Sequence, residues 1–267
     1  LPRDLEDVLD YFLPDPEEPA ASGRTRDDRG LAPPGDRPPA LPIVAIPIAE
    51  GDVVRAAFAW NLAVEIARLD ASATLVAPRA EEASTFWPES GRGPVGAEMV
   101  LSPSADLGSL NRVALDVAVG RAADAREGGL VLARVLPEWI DHPPAGRALL
   151  RRVLLFATPE SRDLLGAYAL TKSVFAAGPQ TQVGVTIHGA RRLGDAERAF
   201  HQLASVATRH LGRSPVSYGM LLDDLHVYRA IVSRRPIGLE HPQSRAARAL
   251  RDVARLLLED ARKSALA

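Results

Sequence analysis

From residue 43 onward, short apolar runs alternate with longer stretches whose apolar positions recur every three or four residues. The runs IVAIPI (43–48), ATLVA (73–77), LVLARV (130–135), VLLFA (153–157) and VGVTI (183–187) predict strands. A sixth falls in VSYGML (216–221). Between them the spacing predicts helices over 53–69, 107–125, 161–177, 195–211 and 243–263. Strands that are apolar along their length and separated by helices suit a parallel sheet covered on both faces. Right-handed crossovers then give an α/β fold with a doubly wound, mostly parallel sheet. The stretch 84–96 is rich in Gly, Pro, Ser and Glu and reads as an exposed loop.

The first 42 residues do not continue this pattern. They carry Pro14, Pro16, Pro19, Pro33, Pro34, Pro38, Pro39 and Pro42 among Gly, Asp and Arg. Such a segment lacks the apolar surface to offset its ordering entropy, so residues 1–42 are expected to be a largely disordered tail before a domain over 43–267. One short element is expected inside the tail. Leu5, Val8, Leu9 and Phe12 fall at i, i+3, i+4 and i+7, with acids on the other face and Pro14 closing a helix over about residues 4–13. A helix this short is marginal alone. It either docks on its own domain or waits for a partner's groove, and the Pro-rich stretch behind it favours the second.

Composition narrows the chemistry. Of 267 residues, 46% are hydrophobic and 25% charged, the balance of a soluble domain. The net charge of −2 gives no global attraction for nucleic acid. There is no cysteine, which excludes disulfides, thiolate catalysis and cysteine metal sites. No apolar run approaches the ~20 residues of a membrane span, and no secretory signal opens the sequence, so a cytoplasmic protein is expected. The only lysines are Lys172 and Lys263, so lysine chemistry must use one of these or be absent. The histidines form no H-x-x-x-H or H-E-x-x-H pair, and no G-x-S-x-G elbow occurs.

Several motifs together point to a family. ATPESRDLLGAYALTK (157–172) follows a strand with a T-P-E and a Y-A-L-x-K pattern. In the run 211–250, Asp224, Val227, Ala230, Pro236, Pro242 and Ser244 keep a further spacing, and Asn61-Leu62-Ala63 follows the first strand-loop-helix. This ordered set resembles the MinD/ParA group of P-loop ATPases, nearest to the MinD-like regulators of flagellar number. The resemblance implies a nucleotide site in the loop after residue 48, yet the residues that would serve it are missing. With Asn61-Leu62-Ala63 as anchor, the family's dimer-spanning lysine falls on Glu50, its P-loop lysine on Arg55 and its magnesium-binding hydroxyl on Ala56. Gly51 remains, while two other glycines fall on Asp52 and Val54. The acidic motif after the second strand is Ala77-Pro78-Arg79, and the acid expected after 130–135 is absent, with Asp141 the nearest carboxylate downstream. The adenine-side asparagine falls on His188, for which an ordinary sheet-edge histidine is favoured over an adenine contact.

These changes act against a bound nucleotide. Val54 is β-branched and unsuited to any positive φ a phosphate cradle requires there. Glu50 and Asp52 would each repel a phosphate by roughly 3 kcal/mol at about 5 Å and an effective dielectric of about 20. Ala56 cannot ligate magnesium. The resemblance therefore implies a pseudo-ATPase that needs no cofactor, metal or catalytic residue. It would act as a scaffold or regulator through protein contacts, as a homodimer or beside a related ATPase, in flagellar, pilus or polarity control. Two alternatives stand: a divergent ATPase holding ATP and Mg²⁺ through Arg55 and backbone groups, and a DNA-binding module using Arg151-Arg152, Arg191-Arg192 and Arg234-Arg235. The interspersed acids and missing aromatics disfavour nucleic acid. The same arginine pairs could instead meet a nucleotide second messenger. The end of the chain, LLLEDARKSALA, lacks the aromatic and basic membrane tail of some relatives.

Overall fold

The computed structural model describes residues 40–79, 90–141 and 145–265. The expected N-terminal stripe of Leu5, Val8, Leu9 and Phe12 lies outside the described residues. Leu41 is already buried, donating its N–H to Ala118 O at 3.0 Å, while Pro42 O accepts from Val131 N at 2.9 Å. The packed chain thus starts slightly before residue 43.

Eight strands form one sheet: β1 Ile43–Pro47, β2 Ser72–Pro78, β3 Gly91–Arg92, β4 Glu98–Ser102, β5 Gly129–Val135, β6 Arg152–Ala157, β7 Gln182–Ala190 and β8 Val216–Leu222. Their order is β3-β4-β2-β5-β1-β6-β7-β8, and every pairing is parallel except β3 with β4. The α-helices are α1 Val53–Ala67, α2 Leu107–Ala122, α3 Ser161–Ala177, α4 Leu193–Leu211, α5 Leu225–Ser233, α6 Ile237–Glu240 and α7 Arg245–Ala265. Six of the strands and five of the helices stand where the periodicity places them. Of the stretch 84–96, the described residues 90–96 are largely exposed as expected, but they carry β3 and a 3-10 turn, Pro94–Gly96.

Strand alternation divides the core in two. Val44, Ile46 and Ile48 point to one face with Leu75, Leu132, Leu154 and Phe156, under α1 and α7. Ala45, Val131, Ala133, Val135, Leu155, Val185 and Ile187 point to the other, under α2, α3 and α4. Each fully buried Leu or Ile contributes about 2–3 kcal/mol of transfer free energy. Helix α1 is buried almost all round, with eleven of its fifteen residues out of solvent, because α7 and the short α5 and α6 cover the side that the sheet does not.

Two side-chain devices tie that cover down. Asn61 Oδ1 accepts from Ile237 N at 2.7 Å, and its Nδ2 donates to Ala57 O at 2.7 Å. Glu65, 1% exposed, accepts from Arg68 Nη1 at 2.7 Å and from Arg251 Nε at 3.1 Å. Arg68 also donates to Gly238 O at 2.9 Å. A buried carboxylate is tolerated only when paired in this way.

Candidate functional site

The chain leaves β1 toward β2 and leaves its neighbour β6 toward β7, in opposite directions across the sheet. Loops that diverge like this open a crevice at the carboxyl ends of the strands, where open α/β sheets hold their ligands. The residues singled out in the sequence meet here.

Strand β1 ends at Pro47 and helix α1 begins at Val53, so the connecting loop is short. Gly51 takes φ +74°, the left-handed conformation the turn requires. Val54 lies in the first turn of α1, so the expectation that it obstructs a positive-φ position does not apply. Glu50 and Gly51 are exposed, and Ala56 is buried.

A helix N-terminus with free N–H groups attracts anions. Here Asp52 is the N-cap, and its Oδ1 accepts from Arg55 N at 3.0 Å. The protein's own carboxylate therefore occupies one of the donors a phosphate would seek. Asp52 Oδ2 also accepts from Arg55 Nη1 at 3.1 Å. The Arg55 guanidinium continues across the crevice, and its Nη2 donates to both carboxylate oxygens of Asp163 at 2.6 Å. Asp163 lies in the first turn of α3 and accepts from Thr158 N at 2.5 Å. Burial opposes ionisation of Asp163, but the hydrogen bonds from Arg55 and Thr158 outweigh it and hold the carboxyl below its ordinary pKa.

Arg134 closes the crevice from the β5 side. The sequence marks this position only by a missing acid, yet the arginine is 4% exposed. Its Nε donates to Ile48 O at 3.4 Å and its Nη2 to Ala49 O at 3.2 Å. It thereby holds the loop by its carbonyls. Burial lowers its pKa, and Glu50, Asp52 and Glu138 act in the opposite direction. Asp141 is not part of this group. It is exposed and accepts from Ser173 Oγ at 2.9 Å on α3.

His188 lies at the carboxyl end of the inner strand β7, one residue past its last pair with β6 and opposite Leu221 of β8, so it pairs on one side only. Its ring meets Phe58 edge-on at 5.2 Å and Phe156 at 6.4 Å between centroids. Its Nε2 is buried without a hydrogen-bond partner. Burial, then the nearby Arg55 charge, push its pKa down to about 4, against the pull of Asp163 and Asp52.

Among the described residues no cluster of three or more His, Asp or Glu side chains is placed to hold a metal ion. No described helix is long and apolar enough to cross a membrane. Two of the arginine pairs lie at opposite ends of the sheet, Arg151-Arg152 at the amino end of β6 and Arg191-Arg192 past the carboxyl end of the parallel β7. At the amino ends of β6, β7 and β8 a cavity of about 430 Å³ is lined by Arg152, Phe175, Gly184, Tyr218 and Asp260.

The sheet order, the crevice and the strand-loop-helix after β1 define a doubly wound α/β fold. The chain has the fold of the MinD/ParA ATPases. A chain of the MinC:MinD cell division protein complex of Aquifex aeolicus superposes with a TM-score of 0.59 at 12% identity, over 82% of this chain and 96% of that one. A ParA family ATPase from Chlorobium tepidum TLS gives 0.58 at 15% identity, over 81% and 98%. The septum site-determining protein MinD of Pyrococcus horikoshii OT3, complexed with Mg-ADP, gives 0.56 at 14% identity, over 81% and 96%. No protein-family model and no curated protein matches the sequence.

Proposed function

We propose that this chain is a non-catalytic protein of MinD/ParA fold, a pseudo-ATPase that serves as a scaffold or regulator through protein contacts. One observation carries the reading: the anion site at the start of α1 is satisfied from within. Asp52 caps the helix, and Arg55, the cation at the phosphate-facing position, is held by two carboxylates. A nucleotide would have to displace Asp163 from Arg55 and enter beside Asp52 and Glu50. Each of those charges repels a phosphate at about 5 Å by roughly 3 kcal/mol. Ala56 offers no oxygen to a magnesium ion in compensation.

The same geometry weighs against a divergent ATPase built on Arg55, whose guanidinium is already engaged on two sides. The dispersed arginine pairs weigh against a continuous DNA-binding stripe. Protein contact remains, with the segment bearing Leu5, Val8, Leu9 and Phe12 as a tethered contact element. Solved relatives in fold include a MinC:MinD complex, so a protein partner is in keeping with the architecture.

Isothermal calorimetry of the full chain with ATP and with ADP, each with Mg²⁺, tests the reading. No heat of binding is expected up to ~1 mM nucleotide. Micromolar, magnesium-dependent affinity, lost in Arg55→Ala, would establish the ATPase alternative instead.

A further inference from the structure

The cavity at the amino ends of β6, β7 and β8 lies at the end of the sheet opposite the crevice that holds Arg55. Its shape follows from the strand register. Arg152 pairs with Gln182 and Leu154 with Gly184, so these positions share the face that α7 covers. Gly184 brings no side chain, and the Tyr218 ring from β8 lies over it; a Cβ there would collide with the ring. Val44, Leu154, Leu257 and Ala261 add apolar walls.

Charged groups gather at the rim, and all but one are engaged. Tyr218 Oη donates to Asp260 Oδ2 at 2.5 Å, and Lys263 Nζ stands 3.7 Å from Asp260 Oδ1. Arg213 closes the end of α3: it donates to Gly178 O at 3.1 Å and to Thr181 O, with its guanidinium 4.1 Å from the Phe175 ring centre. Arg152 differs. It is half-buried and lines the cavity. Its charge is near enough to Tyr218 to oppose the rise in pKa that burial and Asp260 impose on the phenol. Yet among the described residues no hydrogen bond or ion pair engages the Arg152 guanidinium. One cationic fork is therefore uncommitted beside a largely apolar cavity.

A concave space with apolar and aromatic walls and a few polar groups is the form of a small-molecule site. Its 430 Å³ is the volume of about fourteen waters, which sets the size of an occupant at about that many non-hydrogen atoms. A guanidinium fork matches a carboxylate in two parallel hydrogen bonds. Asp260 at the same rim repels a second negative charge, which favours a monoanion over a phosphate dianion.

We propose that this cavity binds a small aromatic or alicyclic monocarboxylate, with its ring among Leu154, Tyr218 and Leu257 and its carboxylate on Arg152. The site is separate from the crevice and goes beyond the proposed function.

The test uses indole-3-acetate, a probe of the right size and charge, with its neutral amide and inorganic phosphate as controls. Backbone amide shifts of the full chain are followed by NMR. Saturable shifts at Gly184, Tyr218 and Ala261 are expected, with a Kd below about 1 mM and binding about tenfold weaker for the amide. In Arg152→Gln the acid should fall to the affinity of the amide, while the amide still shifts Tyr218, which shows the cavity intact. Equal affinity for acid and amide in the wild-type chain would overturn the proposal. So would an Arg152→Gln variant that binds the acid as well as wild type, or phosphate competing at the same amides with equal affinity. Shifts centred on Glu50–Arg55, or no saturable shift at all, would overturn it too. Nucleotide calorimetry reads the other end of the sheet, so the two readings fail separately.

Discussion

His188 makes the chain acid-sensitive in a defined window. Its pKa falls from an ordinary 6.5 to about 4 because the folded protein buries the ring and sets it near Arg55. Above pH ~6.5 the ring is neutral in both folded and unfolded states, so it contributes nothing to pH dependence. As pH falls from there toward ~4, the unfolded chain takes up a proton that the native chain refuses. Stability then drops by about 1.4 kcal/mol per pH unit, and the loss levels off near 3 kcal/mol below the folded pKa. Asp163 acts lower. Its folded pKa is depressed below 3.8, so its contribution is intact above that value and is lost only as pH falls through the folded pKa. The two effects separate on the pH axis. The assay is urea unfolding, followed by tryptophan fluorescence, of the wild-type chain and of His188→Asn at a series of pH values from 7 to 4.5. The stability advantage of wild type over the variant should shrink by about 2 kcal/mol between pH 7 and pH 5. Parallel stability curves, differing by less than ~0.5 kcal/mol in slope over that range, would refute the reasoning. So would a His188 ring that titrates by NMR at its ordinary pKa.

The Arg55–Asp163 clamp predicts that Arg55→Ala and Asp163→Asn each cost about 2 kcal/mol. A double-mutant cycle by urea unfolding should give a coupling energy of about 1–2 kcal/mol; additive effects would remove the clamp. Gly238→Ala should destabilise by about 1–3 kcal/mol in the same assay, because a Cβ there overlaps Glu65 Oε1 and the Arg68 guanidinium. Asn61→Ala strands the buried Ile237 N–H and should cost about 1–3 kcal/mol, measured as a lower urea midpoint at unchanged m.

Much of the fold is legible because its strands are fully covered. β1, β2, β5, β6 and β7 are buried on both faces, and unbroken apolar runs follow from that. β4 is not legible, since it pairs with the two-residue β3 near the rim and only Met99 and Ser102 of its five residues are buried. Helix α5 escapes because it is only nine residues long, Leu225–Ser233, too short for its period to stand out from the flanking polar residues. The loop Glu50–Asp52 and the position of Arg55 follow from the sequence, but their pairing does not. Arg55 meets Asp163 across 108 residues, and Arg134 reaches Ala49 across 85. A long side chain on a buried strand shows itself in sequence only as an arginine inside an apolar run. That was the available signal at Arg134, and Glu65 within VVRAAFAWNLAVEIA gives the same one.

An internally satisfied crevice changes how such a fold can be controlled. A ligand shifts a conformational equilibrium only by its differential affinity for the two states. In a nucleotide-driven switch, that difference comes from the terminal phosphate and its magnesium ion holding loops that relax on hydrolysis. Here the corresponding loops are held by the protein's own side chains. Asp52 caps α1, Asp163 engages Arg55, and Arg134 grips the carbonyls of Ile48 and Ala49. If no nucleotide enters, as proposed, no reaction releases these contacts, and the crevice is a fixed joint of the domain rather than a switch. Any switching must then come from a surface whose occupant can be exchanged. On that reading the outer face of α5 is where to look: Leu225, Tyr228 and Val232 are exposed, and α5 packs on α1, the helix that the joint anchors. Control of such a domain would then pass from the nucleotide to a surface contact, at an energetic scale of a few kcal/mol that a single apolar stripe can supply.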